Sequence, residues 1–112
     1  MGGGARCRLP SEMGPSSAEV ALRWAQEAMA ADRYVLDPHF LKRCAERRVT
    51  MKDVRAVVRG ATRCEPYPDG PILAGGTCWR LFGVALDRVE TSIGFEAFQD
   101  HLGRRIFLVT VF

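Results

Sequence analysis

His39, Arg43 and Arg47 follow one another at intervals of four residues. At about 100° per residue a helix brings three such positions within an arc of about 80°, so they form one cationic row. An imidazole beside two guanidinium groups suits chemistry at a phosphodiester. Breaking an RNA backbone without a metal requires a group to activate the 2′-hydroxyl, a group to stabilise the extra charge on phosphorus, and a group to protonate the leaving 5′-oxygen. His39 is the candidate base, because the helix dipole and two nearby cations both disfavour its charged form. Arg43 and Arg47 are the candidate phosphate ligands, since a planar guanidinium binds oxygens in pairs and stays charged. The plainer account is that the row, with Lys42 and Glu46 as an i, i+4 pair, is only the wet face of an amphipathic helix.

Other positions draw notice further along. Arg80 interrupts the apolar run Cys-Trp-Arg-Leu-Phe, and a charge there needs a ligand or a partner: it is a candidate second phosphate contact of the catalytic set, the alternative being an ion pair with Glu65 or Glu96. Thr110 interrupts the Ile106, Leu108, Phe112 face of the last run and is a candidate for the same site. Tyr67 follows a strand-like segment in a loop, where its ring could stack on a base or simply pack the turn. His101 belongs to a hairpin tip and is expected in solvent.

Charge supports a polyanionic partner. Residues 39–63 hold eight basic side chains (Lys42, Arg43, Arg47, Arg48, Lys52, Arg55, Arg59, Arg63) against Glu46 and Asp53, whereas the whole chain of 112 residues carries only +3. Lys42, Arg55, Arg59 and Arg63 are therefore candidate RNA contacts, although an acidic protein would suit the same surface.

These residues need a scaffold. Ser16 or Ser17 can cap a first helix running to about Ala31, with Val20, Trp24, Ala28 and Ala31 as its apolar stripe. Tyr34-Val35-Leu36 is a short β-prone run. Asp37-Pro38 then opens the helix carrying the cationic row, with Phe40, Leu41, Cys44 and Ala45 expected on its buried arc. Thr50 through Asp53 forms a capping-box pattern for a third helix, buried through Val54, Val57 and Val58 and closed by Gly60. From Ala61 the period becomes extended, with strands expected at 61–66, 78–86, 89–98 and 104–112, joined by turns at 87–88 and 100–103. In 89–98 the alternation predicts one face on the core and one facing water. The fold class expected is α+β: two to three helices packed on a curved antiparallel sheet of about four strands.

Composition bounds the rest. With 47% hydrophobic and 26% charged residues the chain reads as one globular domain over 16–112, preceded by a glycine- and proline-rich flexible tail at 1–15. No apolar run approaches the roughly 18–20 residues of a spanning helix, and the N-terminal stretch lacks a signal-peptide core, so a cytoplasmic location and no membrane partner are expected. Cys7, Cys44, Cys64 and Cys78 form no C-x-x-C pair, so no metal site and no cofactor are expected, and Cys44 and Cys78 read as core residues.

The run Asp37-Pro-His39-Phe-Leu-Lys-Arg43-Cys-Ala-Glu-Arg47-Arg-Val-Thr-Met-Lys-Asp53-Val reads H-x-x-x-R-x-x-x-R, then a short turn and an acidic residue before valine. This resembles the signature of a small bacterial family catalogued as domain of unknown function 4258. The similarity extends through Glu65-Pro-Tyr67-Pro and the ending Ile106-Phe-Leu-Val-Thr110-Val-Phe, covering roughly residues 37–112. That family in turn resembles the RelE- and MqsR-like toxins. The resemblance implies a RelE-like fold, metal-independent endoribonuclease activity on messenger RNA, either free or on the ribosome, and a cognate antitoxin protein that masks the basic surface. The lysine, glutamine and tyrosine set of MqsR has no residue-by-residue counterpart, since the sheet here offers arginine and threonine. The alternative is a non-catalytic module that binds nucleic acid or protein through the basic helical surface. A small-molecule enzyme is disfavoured by the lack of any glycine-rich phosphate loop or cofactor fingerprint.

Overall fold

The computed structural model describes residues 14–112, so most of the expected tail, 1–13, lies outside the described residues. Gly14 and Pro15, which the sequence assigns to that tail, are buried: Thr77 Oγ1 donates to the Pro15 carbonyl at 3.1 Å.

Helix α1 (Ala18–Ala30) starts where Ser17 Oγ accepts the Val20 amide, and it buries Trp24, Ala25, Ala28 and Met29. Strand β1 (Tyr34–Leu36) follows, then α2 (Pro38–Arg47), capped by the Asp37 carboxylate with proline in the first turn. Arg48 ends α2 in the left-handed conformation, at φ 55°. Helix α3 (Met51–Gly60) opens on a reciprocal capping box: Asp53 N donates to Thr50 Oγ1 at 3.2 Å, and Thr50 N donates to Asp53 Oδ2 at 2.9 Å. Gly60 is the last helical residue and takes no left-handed turn, because the chain leaves through Ala61 in extended conformation.

Strands β2 (Arg63–Pro66), β3 (Thr77–Val84), β4 (Glu90–Asp100) and β5 (Gly103–Val111) complete an α+β fold of three helices and one sheet, ordered β1-β5-β4-β3-β2. The sheet is five-stranded and mixed, not four-stranded and antiparallel. β1 pairs with β5 in parallel, Val35 opposite Phe107, because α2 and α3 carry the chain away after β1 and no hairpin joins the two strands. The other pairings are antiparallel.

One face of the sheet packs on the helices in a single cluster. Val54, Val57 and Val58 of α3 and Phe40 and Cys44 of α2 meet Leu81, Ile93, Phe95, Ile106 and Leu108. α3 lies so close to β3 that a Cβ on Gly83 would collide with the Val57 carbonyl. Two positions expected on the buried arc of α2, Leu41 and Ala45, are instead exposed, Leu41 at 49%. That helix sits at the margin of the core and needs only Phe40 and Cys44 inside.

The second face overturns the expected wet side of β4, where every residue from Thr91 to Phe98 is buried. The chain from Tyr67 to Gly76 folds back over it. Glu96, at 0% exposure, is the fastening: its carboxylate accepts the amides of Leu73 (2.8 Å), Ala74 (3.0 Å) and Gly76 (2.7 Å). A buried carboxylate met by three amides is satisfied where a bare one would be costly.

Candidate functional site

The end of β5 decides what reaches the site. Simple alternation puts Thr110 on the core face with Leu108, but the pairing with β4 shifts between Gly94 and Phe95, from Thr110 to Leu108, leaving Val109 as an extra residue. The bulge reverses the alternation. Val111 takes the core place beside Ile93, while Thr110 and Phe112 turn to the second face. Gly94 makes room there: a Cβ would lie 3.0 Å from Thr110 Cγ2, 3.1 Å from Tyr67 Cε2 and 3.2 Å from Phe112 Cε2.

A cleft of ≈ 410 Å³ opens at this end of the sheet, lined by Asp37, His39, Arg43, Tyr67, Pro71, Val109, Thr110 and Phe112. Four residues singled out from sequence, His39, Arg43, Tyr67 and Thr110, therefore share one wall-to-wall space. α2 supplies the first two, the loop over the second face supplies Tyr67, and the bulge supplies Thr110. The Tyr67 ring stands edge-on to Phe112 at 5.3 Å. Asp37 Oδ2 accepts the His39 amide at 2.9 Å, so the capping carboxylate borders the cleft as well. The His39 side chain is exposed, and Arg43 is half-buried and paired with Glu46 at 3.1 Å. Glu46 thus binds Arg43 rather than Lys42.

Not every expected residue joins them. Arg47 lines a neighbouring hollow of ≈ 160 Å³ with Arg48, Asp53 and Asp87, and only Phe112 and no cationic side chain is common to the two spaces. Eight residues of α2 separate Arg47 from His39, about 12 Å at 1.5 Å per residue, which exceeds the reach of one small cleft. Lys42 is exposed outside both. Arg55 is engaged elsewhere, donating to Asp32 Oδ1 at 3.2 Å and to the Tyr34 hydroxyl at 2.8 Å, and it shares a third hollow with Arg59. The basic run of 39–63 is thus divided among separate surfaces.

Arg80 pairs with neither Glu65 nor Glu96. Its Nε donates to Ser92 Oγ at 3.0 Å, and its guanidinium lies 4.9 Å from the Phe82 ring and 3.9 Å from that of Phe112. It stands behind the Phe112 wall and does not line the cleft. Arg63 reaches the second face from β2, 3.8 Å over the Phe82 ring.

Among the described residues the cysteines, Cys44, Cys64 and Cys78, are all held toward the thiol form. Burial, reinforced by Glu65, pushes Cys64 up to about 12, and burial with Glu96 pushes Cys78 up to about 11. Burial also raises Cys44. Among the described residues no group of three or more His, Cys, Asp or Glu is arranged to hold a metal ion, and no helix is long and apolar enough to cross a membrane. Glu96 is the residue that sequence reasoning used least well, as a mere partner for Arg80, because the alternation of its strand places it on the face expected in water. Among protein-family models, curated proteins and solved structures, none matches this chain.

Proposed function

We propose that the chain is a metal-independent endoribonuclease of the toxin type, with a RelE-like arrangement of helices on a sheet, acting on messenger RNA and restrained by a cognate antitoxin protein. The observation that supports it most is the meeting of His39, Arg43, Tyr67 and Thr110 around one cleft from three separate parts of the chain. In this reading the His39 imidazole takes the proton of the 2′-hydroxyl as that oxygen attacks phosphorus. Arg43 and the Thr110 hydroxyl hold the non-bridging oxygens as their charge grows. The bond to the 5′-oxygen breaks, and the Tyr67 hydroxyl protonates it. One fragment ends in a 2′,3′-cyclic phosphate and the other in a 5′-hydroxyl. Arg47, in the neighbouring hollow, binds flanking backbone rather than the scissile phosphate.

A second reading, a binding module without catalysis, is favoured by the exposure of His39 and the pairing of Arg43 with Glu46. Degradation of total RNA in the presence of chelator separates the two. Wild-type cleavage that is lost in folded His39→Ala and Arg43→Ala variants supports the nuclease. Salt-dependent RNA binding without cleavage, with and without ribosomes, supports the module.

A further inference from the structure

Arg63 and Arg80 have no part in that cleavage step, yet they meet on the second face of the sheet. Arg63 is in register with Phe82 across the β2–β3 pair and lies 3.8 Å over its ring. Arg80 approaches the same ring at 4.9 Å and the Phe112 ring at 3.9 Å, and Phe112 meets Tyr67 edge-on at 5.3 Å. Guanidinium groups and rings therefore alternate from the edge strand through Arg63, Phe82, Arg80 and Phe112, and the Phe112 ring continues the series to Tyr67 at the cleft wall.

Neither the Arg63 nor the Arg80 guanidinium makes an ion pair within the described residues. Ion pairs there join Arg43 to Glu46, Arg55 to Asp32 and Arg105 to Asp100. Glu65 is in register with Arg80 but makes no ion pair with it, and the Glu96 carboxylate is taken by loop amides. Stacking on a ring fixes a guanidinium plane while leaving its in-plane N–H groups free, and Arg80 commits only Nε, to Ser92. Such ordered, unpaired forks are suited to phosphate oxygens. Arg63 is exposed, so its outer plane is open to a base.

We propose that Arg63, Phe82 and Arg80 form a second subsite, which takes a phosphate and a base of the single strand of RNA whose scissile phosphate occupies the His39–Arg43 cleft. The proposal rests on the ribonuclease reading for the register of the strand. A duplex is excluded as ligand because only unpaired bases present a face to the Arg63 plane.

The test is fluorescence anisotropy with 2′-O-methyl oligonucleotides, which cannot undergo attack by the 2′-oxygen, of two and of six nucleotides. The full chain is compared with Arg63→Gln, whose exposed position spares the fold, and with Arg80→Gln, checked by thermal unfolding. The hexamer is expected to lose at least about 10-fold in affinity for Arg63→Gln, the lower end of the scale for one charged hydrogen-bonded contact. The dimer, confined to the cleft, is expected to change by less than about 2-fold, and the salt slope for the hexamer to fall by about 0.7. An unchanged hexamer affinity, an equal loss for both lengths, or a duplex bound as tightly as the hexamer overturns the subsite. Hexamer binding that depends on Arg63 in a chain that cleaves nothing retains the subsite and contradicts the nuclease, so the two failures are distinct.

Discussion

The Glu96 carboxylate accepts the Gly76 amide at 2.7 Å from a side chain that is wholly buried in the middle of β4. Together with the Leu73 and Ala74 amides, this bond fastens the loop that brings Tyr67 and Pro71 to the cleft. Glu96→Ala leaves three donors without their acceptor and is expected to cost about 3 kcal/mol or more, since charged hydrogen bonds are worth about 1.5–3 kcal/mol each and do not add fully. Denaturant unfolding measures the loss. Hydrogen exchange should show the Leu73, Ala74 and Gly76 amides losing protection before those of β4.

Gly94 backs the cleft from below. Gly94→Ala sets a methyl group against Thr110, Tyr67 and Phe112 at 3.0–3.2 Å, so these neighbours must give way. Overpacking of this kind costs about 1–3 kcal/mol. RNA cleavage by this variant is expected to fall more than its thermal stability does, because the three displaced side chains all line the cleft. Loss of stability with full activity would place the chemistry elsewhere.

Asp53 links stability to pH. Hydrogen bonds from the Thr50 amide and hydroxyl, with a further one from the Leu86 amide, hold its carboxyl below the ordinary 3.8. A carboxyl depressed in the folded state stabilises fully above its unfolded value and loses that contribution as pH falls through the folded one. Stability from Asp53 is therefore complete above about pH 3.8 and disappears below it. Thermal unfolding of Asp53→Asn and wild type should differ most at neutral pH and converge as pH drops below that value.

The parts of this architecture that were legible in sequence are those governed by local rules. Ser17, Asp37 and Thr50 cap the helices because short oxygen side chains satisfy first-turn amides. His39 and Arg43 share a wall because four residues is nearly one helical turn. What escaped depends on contacts remote in sequence. Glu96 lies on the polar side of a strand whose alternation signals solvent, and only the return of residues 67–76 buries it. Thr110 reads as a core-face residue until the extra Val109 reverses the alternation. β1 is too short for its pattern to reveal a parallel partner in β5. Arg47 continues the row by angle but not by distance, since periodicity measures rotation and not reach.

The central claim is that His39 initiates attack by a 2′-hydroxyl inside the cleft. It is tested most directly by the ends produced from a defined single-stranded RNA incubated with chelator. Wild type is expected to yield a 2′,3′-cyclic phosphate and a 5′-hydroxyl, and folded His39→Ala to reduce the rate at least about 100-fold, the lower range for a lost general base. Undiminished cleavage by His39→Ala, or RNA left intact by the wild type with and without ribosomes, would contradict the account.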